Sequence, residues 1–355
     1  MKIALITDTH FGARGDDPAF NEFFFKFWEN TFFPYIKENK ITTVVHLGDI
    51  VDRRRFINFV TLHNLRKRFV ARLKEMNIDF HVIVGNHDVP FRNTNEVNAM
   101  EELFSGHKSL NIYSSPKTIT LDGTDIALIP WINHSNMEDT FKFIKETPAQ
   151  ICFGHFEISG FEMDKGSFCR EGLSRDIFDK FDTVFSGHFH HRSSDGHITY
   201  LGNTYEMTWA DYNDPRGFHI FDTKTRDLDF IENPNRMFHK IVYDDRYETP
   251  EKIAEQDYSH YAQTYVKVVV ANKNDSVLYD MFLDALTKVA PLDITIVEDF
   301  TDYVEMSDSD IIDQSDDTVT ILDKYVDGLE MTLDRDKLKK QLRDIYLEAQ
   351  KLETA

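Results

Sequence analysis

Five short apolar runs rich in β-branched residues each end on a turn that carries histidine or aspartate. Lys2 to Thr7 is followed by Asp8-Thr-His10, Thr42 to Leu47 by Gly48-Asp49, and Phe80 to Val84 by Gly85-Asn-His-Asp88. Gln150 to Phe153 is followed by Gly154-His155, and Thr183 to Ser186 by Gly187-His-Phe-His190. Runs of this length and composition bounded by turn residues are candidates for buried strands. Helical spacing over Phe20 to Lys37 and Phe59 to Glu75 separates the first three, giving the order strand, helix, strand, helix, strand and the α/β class. Further strands are expected at Ile126 to Pro130, near Thr199 to Leu201 and at Phe218 to Asp222, extending one sheet or forming a second packed on it.

The pattern changes near Met237. Tyr265 to Ala271 alternates like a strand, Val277 to Val289 places Leu278, Met281, Phe282 and Leu286 on one helical face, and Ile294 to Val297 reads as another strand. The expected organisation is therefore a main domain over 1–236 and a small β-α-β lobe over 237–297. Residues 298–317 hold nine acidic and no basic side chains, the composition of a self-repelling linker. Two amphipathic helices are expected over 318–355.

The net charge of −21 would argue against a nucleic-acid partner if it were evenly spread. It is not: residues 1–200 carry 23 basic and 27 acidic side chains, residues 201–355 carry 17 and 34, and Arg53 to Lys74 holds eight basic residues and no acidic one. Two cysteines, Cys152 and Cys169, cannot build a disulfide framework or a four-thiolate zinc site, which points to a reducing compartment. No apolar run approaches the ~18 residues of a spanning helix, and Met1 to Thr7 lacks a signal-peptide pattern. A soluble, cytoplasmic protein without a membrane partner is expected.

Asp8, His10, Asp49, Asn86, His155, His188 and His190 give seven nitrogen and oxygen donors without sulfur, all placed where strands end. One metal cannot use seven. Two can if a carboxylate bridges, and paired ions about 3.5–4 Å apart suit in-line displacement at phosphorus. Mixed imidazole, carboxylate and amide donors favour manganese or iron over magnesium or structural zinc.

The ordered donor set resembles that of the calcineurin-like metallophosphoesterases. The strings Lys2 to His10, Gly48-Asp-Ile-Val-Asp52, Val84-Gly-Asn-His-Asp88, Gly154-His155, Gly187-His-Phe-His190 and Asn213-Asp-Pro-Arg-Gly-Phe218 are similar to those of SbcD-type DNA double-strand break repair nuclease subunits, in particular their T-even bacteriophage form. The resemblance implies a two-sheet sandwich flanked by helices, a capping or DNA-binding lobe and a helical tail. It assigns Asp8, His10 and His190 to one metal, Asn86, His155 and His188 to the other, and Asp49 to the bridge, with two divalent ions, manganese first and magnesium or iron as alternatives. His87 becomes the general acid, with Asp52 in the place of the aspartate that holds it in phosphatase relatives; archaeal relatives often have histidine there, and Asp88 is an alternative orienter. Apart from the resemblance, Arg53 to Arg55, with Arg53 foremost, are candidates to steer or clamp a substrate phosphate beside Asp49, against the simpler reading of a solvated helix face. The activity implied is exonuclease action on double-stranded ends and endonuclease action on single strands. The partners implied are DNA and an SbcC-type coiled-coil ATPase, which the tail would contact, in a heterotetramer built on a homodimer.

Simpler roles fit the remaining features. His46 and His81, inside strand runs, read as structural, His191 as a rim residue, and Phe23 to Trp28 as a core helix. The same donor set also serves phosphomonoesterases and cyclic-nucleotide phosphodiesterases, and a non-catalytic scaffold is a third reading; the segment 237–355 favours the nuclease, and the complete donor set disfavours the scaffold.

Overall fold

The computed structural model describes residues 1–298 other than 92 and 107–109, together with 337 and 339. The acidic linker beyond Glu298 and the paired helices expected over 318–355 lie outside the described residues apart from those two. Residues Met1–Met207 and Asp211–Glu298 form one compact unit, and it is this unit that is described below.

The chain lays down β1 (Lys2–Ile6), β2 (Thr43–His46), β3 (Asp79–Ile83) and β4 (Leu110–Tyr113) as consecutive parallel neighbours. It then turns into a second sheet. That sheet begins with β5 (Lys117–Leu121), β6 (Thr124–Ile129) and β7 (Ile151–His155). A small hairpin follows, β8 (Glu162–Asp164) with β9 (Ser167–Phe168), and then β10 (Thr183–Gly187), β11 (Ser193–Ser194) and β12 (Ile198–Tyr200). The chain returns to the first sheet as β13 (Gly217–Asp222) and β14 (Leu228–Glu232). The orders are β14-β13-β1-β2-β3-β4 and β11-β12-β10-β7-β6-β5. The expected α/β sandwich of two sheets is thus what forms.

Strand alternation divides the core. Ile3 and Leu5 of β1, Val45 of β2 and Ile83 of β3 meet Ile126, Leu128, Ile151, Phe153 and Phe185 between the sheets. The intervening Ala127, Cys152 and Val184 face outward into a second cluster with Ile144, Phe156 and Phe178. Side chains two apart share a face of a strand, so a strand that is apolar at every position is buried on both sides.

The helical segment Pro18–Phe27 continues through Trp28–Phe32 into Phe33–Glu38. In its middle the Phe33 N–H bonds to the Trp28 carbonyl, one residue further back than in an α-helix. Pro34 follows immediately; it supplies no N–H and crowds the carbonyl four residues earlier, which is the condition for a local widening. Phe23, Phe24, Phe25, Phe27 and Trp28 are all buried, so this stretch is core, as its spacing predicts. Phe24 stacks on Tyr205 at 3.8 Å, and the Tyr205 hydroxyl donates to the Thr9 carbonyl, tying the aromatic cluster to the loop between Asp8 and His10. Phe24→Ala should lower stability by about 3–5 kcal/mol, the usual range for deleting a buried aromatic. A urea midpoint corresponding to less than about 1 kcal/mol would show that the stack is not part of the core.

The lobe has one more strand than expected. β15 (Phe238–Asp244), β16 (Tyr265–Asn272) and β17 (Asp293–Val297) pair in parallel, with helices Pro250–Glu255 and Ser276–Lys288 in the crossovers. Its own core contains Tyr243, Val266, Val268, Leu278, Phe282 and Leu286. Phe20 packs against Phe238 and Tyr265, and the buried Glu206 carboxylate receives the Met237 and Phe238 N–H groups at 2.6 and 3.0 Å.

Candidate metal centre

The C-terminal ends of β1, β2 and β3 in one sheet and of β7 and β10 in the other open onto one place. The chain turns there sharply enough that Asp8, His10, Asp49 and His188 all have positive φ, from 40° to 87°. Left-handed backbone at non-glycine residues is strained and persists where the surroundings enforce it. Gly48 lets the loops close: a Cβ there would lie 2.5 Å from His155 Nδ1 and 2.9 Å from the Gly85 Cα.

Three groups of donor atoms, each within 4.8 Å of one another, occupy this place: Asp8, His10 and His190; His10, Asp49 and His87; and Asp49, His155 and His188. His10 Nε2 and His190 Nε2 are 3.1 Å apart. His155 Nε2 lies 3.3 Å from Asp49 Oδ2, and one end of the Asn86 amide lies 2.8 Å from His155 Nε2, 2.9 Å from His188 Nδ1 and 3.2 Å from Asp49 Oδ2. All seven expected donors are therefore brought together.

The donor set fits divalent cations. Burial holds His10 well below the ordinary imidazole pKa, and pushes His188 to about 3 and His190 to about 4. These rings are thus neutral at pH 7, the form that ligates. His10 Nδ1 is buried with no hydrogen-bond partner, so the facing Nε2 pair leaves one ring nitrogen unsatisfied in either tautomer. His155 Nδ1 lies 2.7 Å from the Leu47 carbonyl, which fixes Nδ1 as the protonated atom and aims Nε2 at the cluster. Burial opposes a charge on His155, but the adjacent Asp49 carboxylate wins and raises its pKa to about 9. Burial likewise lifts Asp8 to about 7, with Asp49 adding to the shift against the pull of His155.

Groups with raised pKa values hold protons at pH 7 that a cation must displace, so binding strengthens as pH rises towards 9 and releases on the order of one proton or more. Manganese titration calorimetry at pH 7 in buffers of different ionisation enthalpy should give heats that vary with the buffer. Buffer-independent heats would mean that His155 and Asp8 hold no displaceable proton.

His87 stands beside the cluster, half-buried, its ring 4.8 Å from that of His10. Its Nδ1 lies 2.6 Å from the Asp52 backbone carbonyl, so the contact with Asp52 runs through the main chain. The Asp52 carboxylate lies 3.6 Å from His10 Nδ1; burial raises its pKa, and the neighbouring His87 opposes that rise. The buried Asp88 carboxylate is engaged by backbone groups: it receives N–H groups from Asp49, Ile50, Val51 and Gly85 at 2.9–3.2 Å, so it pins the Gly48-Asp49 turn to the Gly85-Asn86 turn. Burial, with the Asp49 charge beside it, raises Asp88 to about 6.

Arg53 pairs with Asp16 at 2.9 Å and covers the Phe56 ring. The guanidinium that reaches the cluster belongs to Arg54, 3.0 Å from the other end of the Asn86 amide. Successive loop residues point in directions that no periodicity encodes, so the sequence does not tell which of Arg53 to Arg55 makes this contact. Trp131, whose ring lies 5.2 Å from that of His188, was also missed, since it carries no donor. His46, pushed to about 3 by burial and 3.0 Å from Thr9 Oγ1, and His81, between Tyr113 and Asp79, are structural as expected. His191 meets Asp214 at 2.8 Å.

Comparison with known proteins agrees with this geometry. Residues 1–192 match the model of the calcineurin-like phosphoesterase family. Exonuclease subunit 1 of Enterobacteria phage T4 is 32% identical over 351 residues, 98% of this chain and 99% of the phage protein. The DNA double-strand break repair protein Mre11 of Methanosarcina acetivorans is 25% identical over 297 residues, 78% of this chain and 47% of that protein. The SbcD component of the SbcCD nuclease of Staphylococcus saprophyticus is 22% identical over 224 residues, 56% of this chain and 59% of that protein. The chain thus spans about half the length of these archaeal and bacterial relatives. With the family match covering more than half the chain and all of the clustered donors, the chain belongs to the calcineurin-like phosphoesterase family.

Proposed function

We propose that this protein is a divalent-metal-dependent DNA nuclease, the nuclease subunit of a complex with a coiled-coil ATPase of the SbcC type. The observation that carries the reading is the pair of donor groups Asp8, His10, His190 and Asp49, His155, His188, joined through Asp49 and completed by Asn86. Divalent ions held there, manganese by the chemistry of the donors, supply Lewis acidity towards phosphoryl oxygens and lower the pKa of water. The chain's own part is positional and acid–base. Asp88 fixes the two turns that present Asp49 and Asn86, and Arg54 offers a guanidinium suited to a phosphate oxygen. The Asp52 carbonyl accepts the Nδ1 proton of His87, leaving Nε2 as the atom that gives a proton to the departing sugar oxygen.

Supporting the substrate class are the functions for which the relatives are named, which are those of DNA repair proteins and exonuclease subunits. The domain assignment we propose is a nuclease domain over 1–236, a capping lobe over 237–297, an acidic linker over 298–317 and an ATPase-binding tail over 318–355. The test compares labelled duplex DNA, single-stranded DNA and p-nitrophenyl phosphate in manganese, with and without a purified SbcC-type ATPase. Cleavage of single strands by the protein alone, and of duplex ends when the ATPase is added, is the expected result. Hydrolysis of the monoester without cleavage of DNA would overturn the reading in favour of a phosphomonoesterase.

A further inference from the structure

The string Asn213-Asp-Pro-Arg-Gly-Phe218 supplies no donor to the cluster, yet its Arg216 is buried behind it, only 3% exposed. The guanidinium pairs with Asp211 at 2.5 Å and Asp214 at 2.9 Å, and its Nη1 donates to the backbone carbonyl of His190. The same carbonyl also accepts the Asn203 N–H at 3.2 Å. Asp214 in turn holds His191 Nδ1 at 2.8 Å, and Asp211 accepts the Met207 N–H at 2.7 Å.

The position of Arg216 explains why such a contact is needed. β13 runs antiparallel to β1 with Leu5 opposite His219, so continuing the register brings Arg216 level with Asp8. The backbone of Arg216 thus immediately precedes β13 of the first sheet, and its carbonyl accepts the Asn233 N–H at 2.7 Å. His190 hangs from β10 of the second sheet. His10 and His190 must converge to 3.1 Å from different sheets, and among the described residues no strand pairing joins those sheets. A charged side chain reaching from one to the other, neutralised by two carboxylates, fixes that approach where a mobile lysine would hold it less well.

We infer that Arg216 is a positioning residue for the His190 half of the metal centre, with Asp211 and Asp214 holding its guanidinium. The inference rests on the metal-dependent reading above. Its test uses the full chain and manganese alone, so that it does not depend on the substrate being DNA. Arg216→Gln should weaken one manganese site about 10–100-fold, the usual effect of losing a group that orients a ligand, and leave the Asp49, His155 and His188 site at wild-type affinity. Electron paramagnetic resonance should then show one bound ion without a coupled neighbour at manganese concentrations that fill both wild-type sites. Arg216→Lys should restore part of the lost affinity. Asp214→Asn, which keeps the Asp211 pair, should shift the same site by less and guards against a glutamine variant that fails to fold. Unchanged affinity at both sites, or equal weakening of both in a variant with wild-type circular dichroism, would overturn the inference. If manganese does not bind the wild-type chain at all, the metal-dependent reading itself fails.

Discussion

Replacing His87 by asparagine is expected to reduce DNA cleavage by about 10²–10⁴-fold, the contribution general acid catalysis commonly makes, while both manganese ions stay bound. The expectation follows from position. His87 Nδ1 is engaged by the Asp52 carbonyl, and an asparagine amide could keep that hydrogen bond without supplying a titrating proton donor. The structure also defines the rival outcome, because His87 stands with His10 and Asp49 as a third group able to ligate. Counting bound manganese in the variant separates the two. Loss of an ion together with activity would make His87 a ligand and remove the general acid from the account.

Asp49→Ala should have the larger effect on the metals themselves. Asp49 Oδ2 lies 3.3 Å from His155 Nε2 and 3.8 Å from His10 Nε2, so one carboxylate faces both halves of the cluster. Its Oδ1 also accepts the His87 N–H at 2.7 Å. Burial disfavours its charge, yet the neighbouring imidazoles, His155 foremost, hold its pKa well below the usual carboxylate range. Without it His155 would no longer hold a competing proton so tightly, but both ions would lose a shared anionic ligand, which is the larger effect. Affinity at both sites should fall by more than the ~10–100-fold typical of an outer-sphere change, and cleavage should become undetectable. Two undiminished sites by calorimetry would show that Asp49 does not bridge.

These expectations drew on features that a sequence displays unevenly. β1, β2, β3, β7 and β10 were legible because parallel strands covered on both faces are continuously apolar, and because each ends on a polar donor. β4 and β5 were not, since they lie at sheet edges and are only half-buried. β15 was missed for a related reason: His239 and Lys240 interrupt its apolar pattern, which made a three-stranded lobe look like a β-α-β unit. The residues that cluster were all readable, since the chemistry that singles them out is carried by the residue types. Their supports were not. Asp88 acts on peptide N–H groups about forty positions upstream, and peptide groups leave no mark in a sequence. The choice between Arg53 and Arg54 depends on where a loop points its side chains, and Arg216 on a register that exists only once β13 pairs with β1.

Two ions held together by one set of residues are the basis of the DNA cleavage proposed for this protein. The most direct measurement titrates manganese into chelator-treated protein while bound metal, by electron paramagnetic resonance, and cleavage of a single-stranded oligonucleotide are followed in the same samples. Two equivalents should bind, and cleavage should rise with the second. Full cleavage with a single ion bound, or two bound ions and no cleavage of DNA, would contradict this proposal.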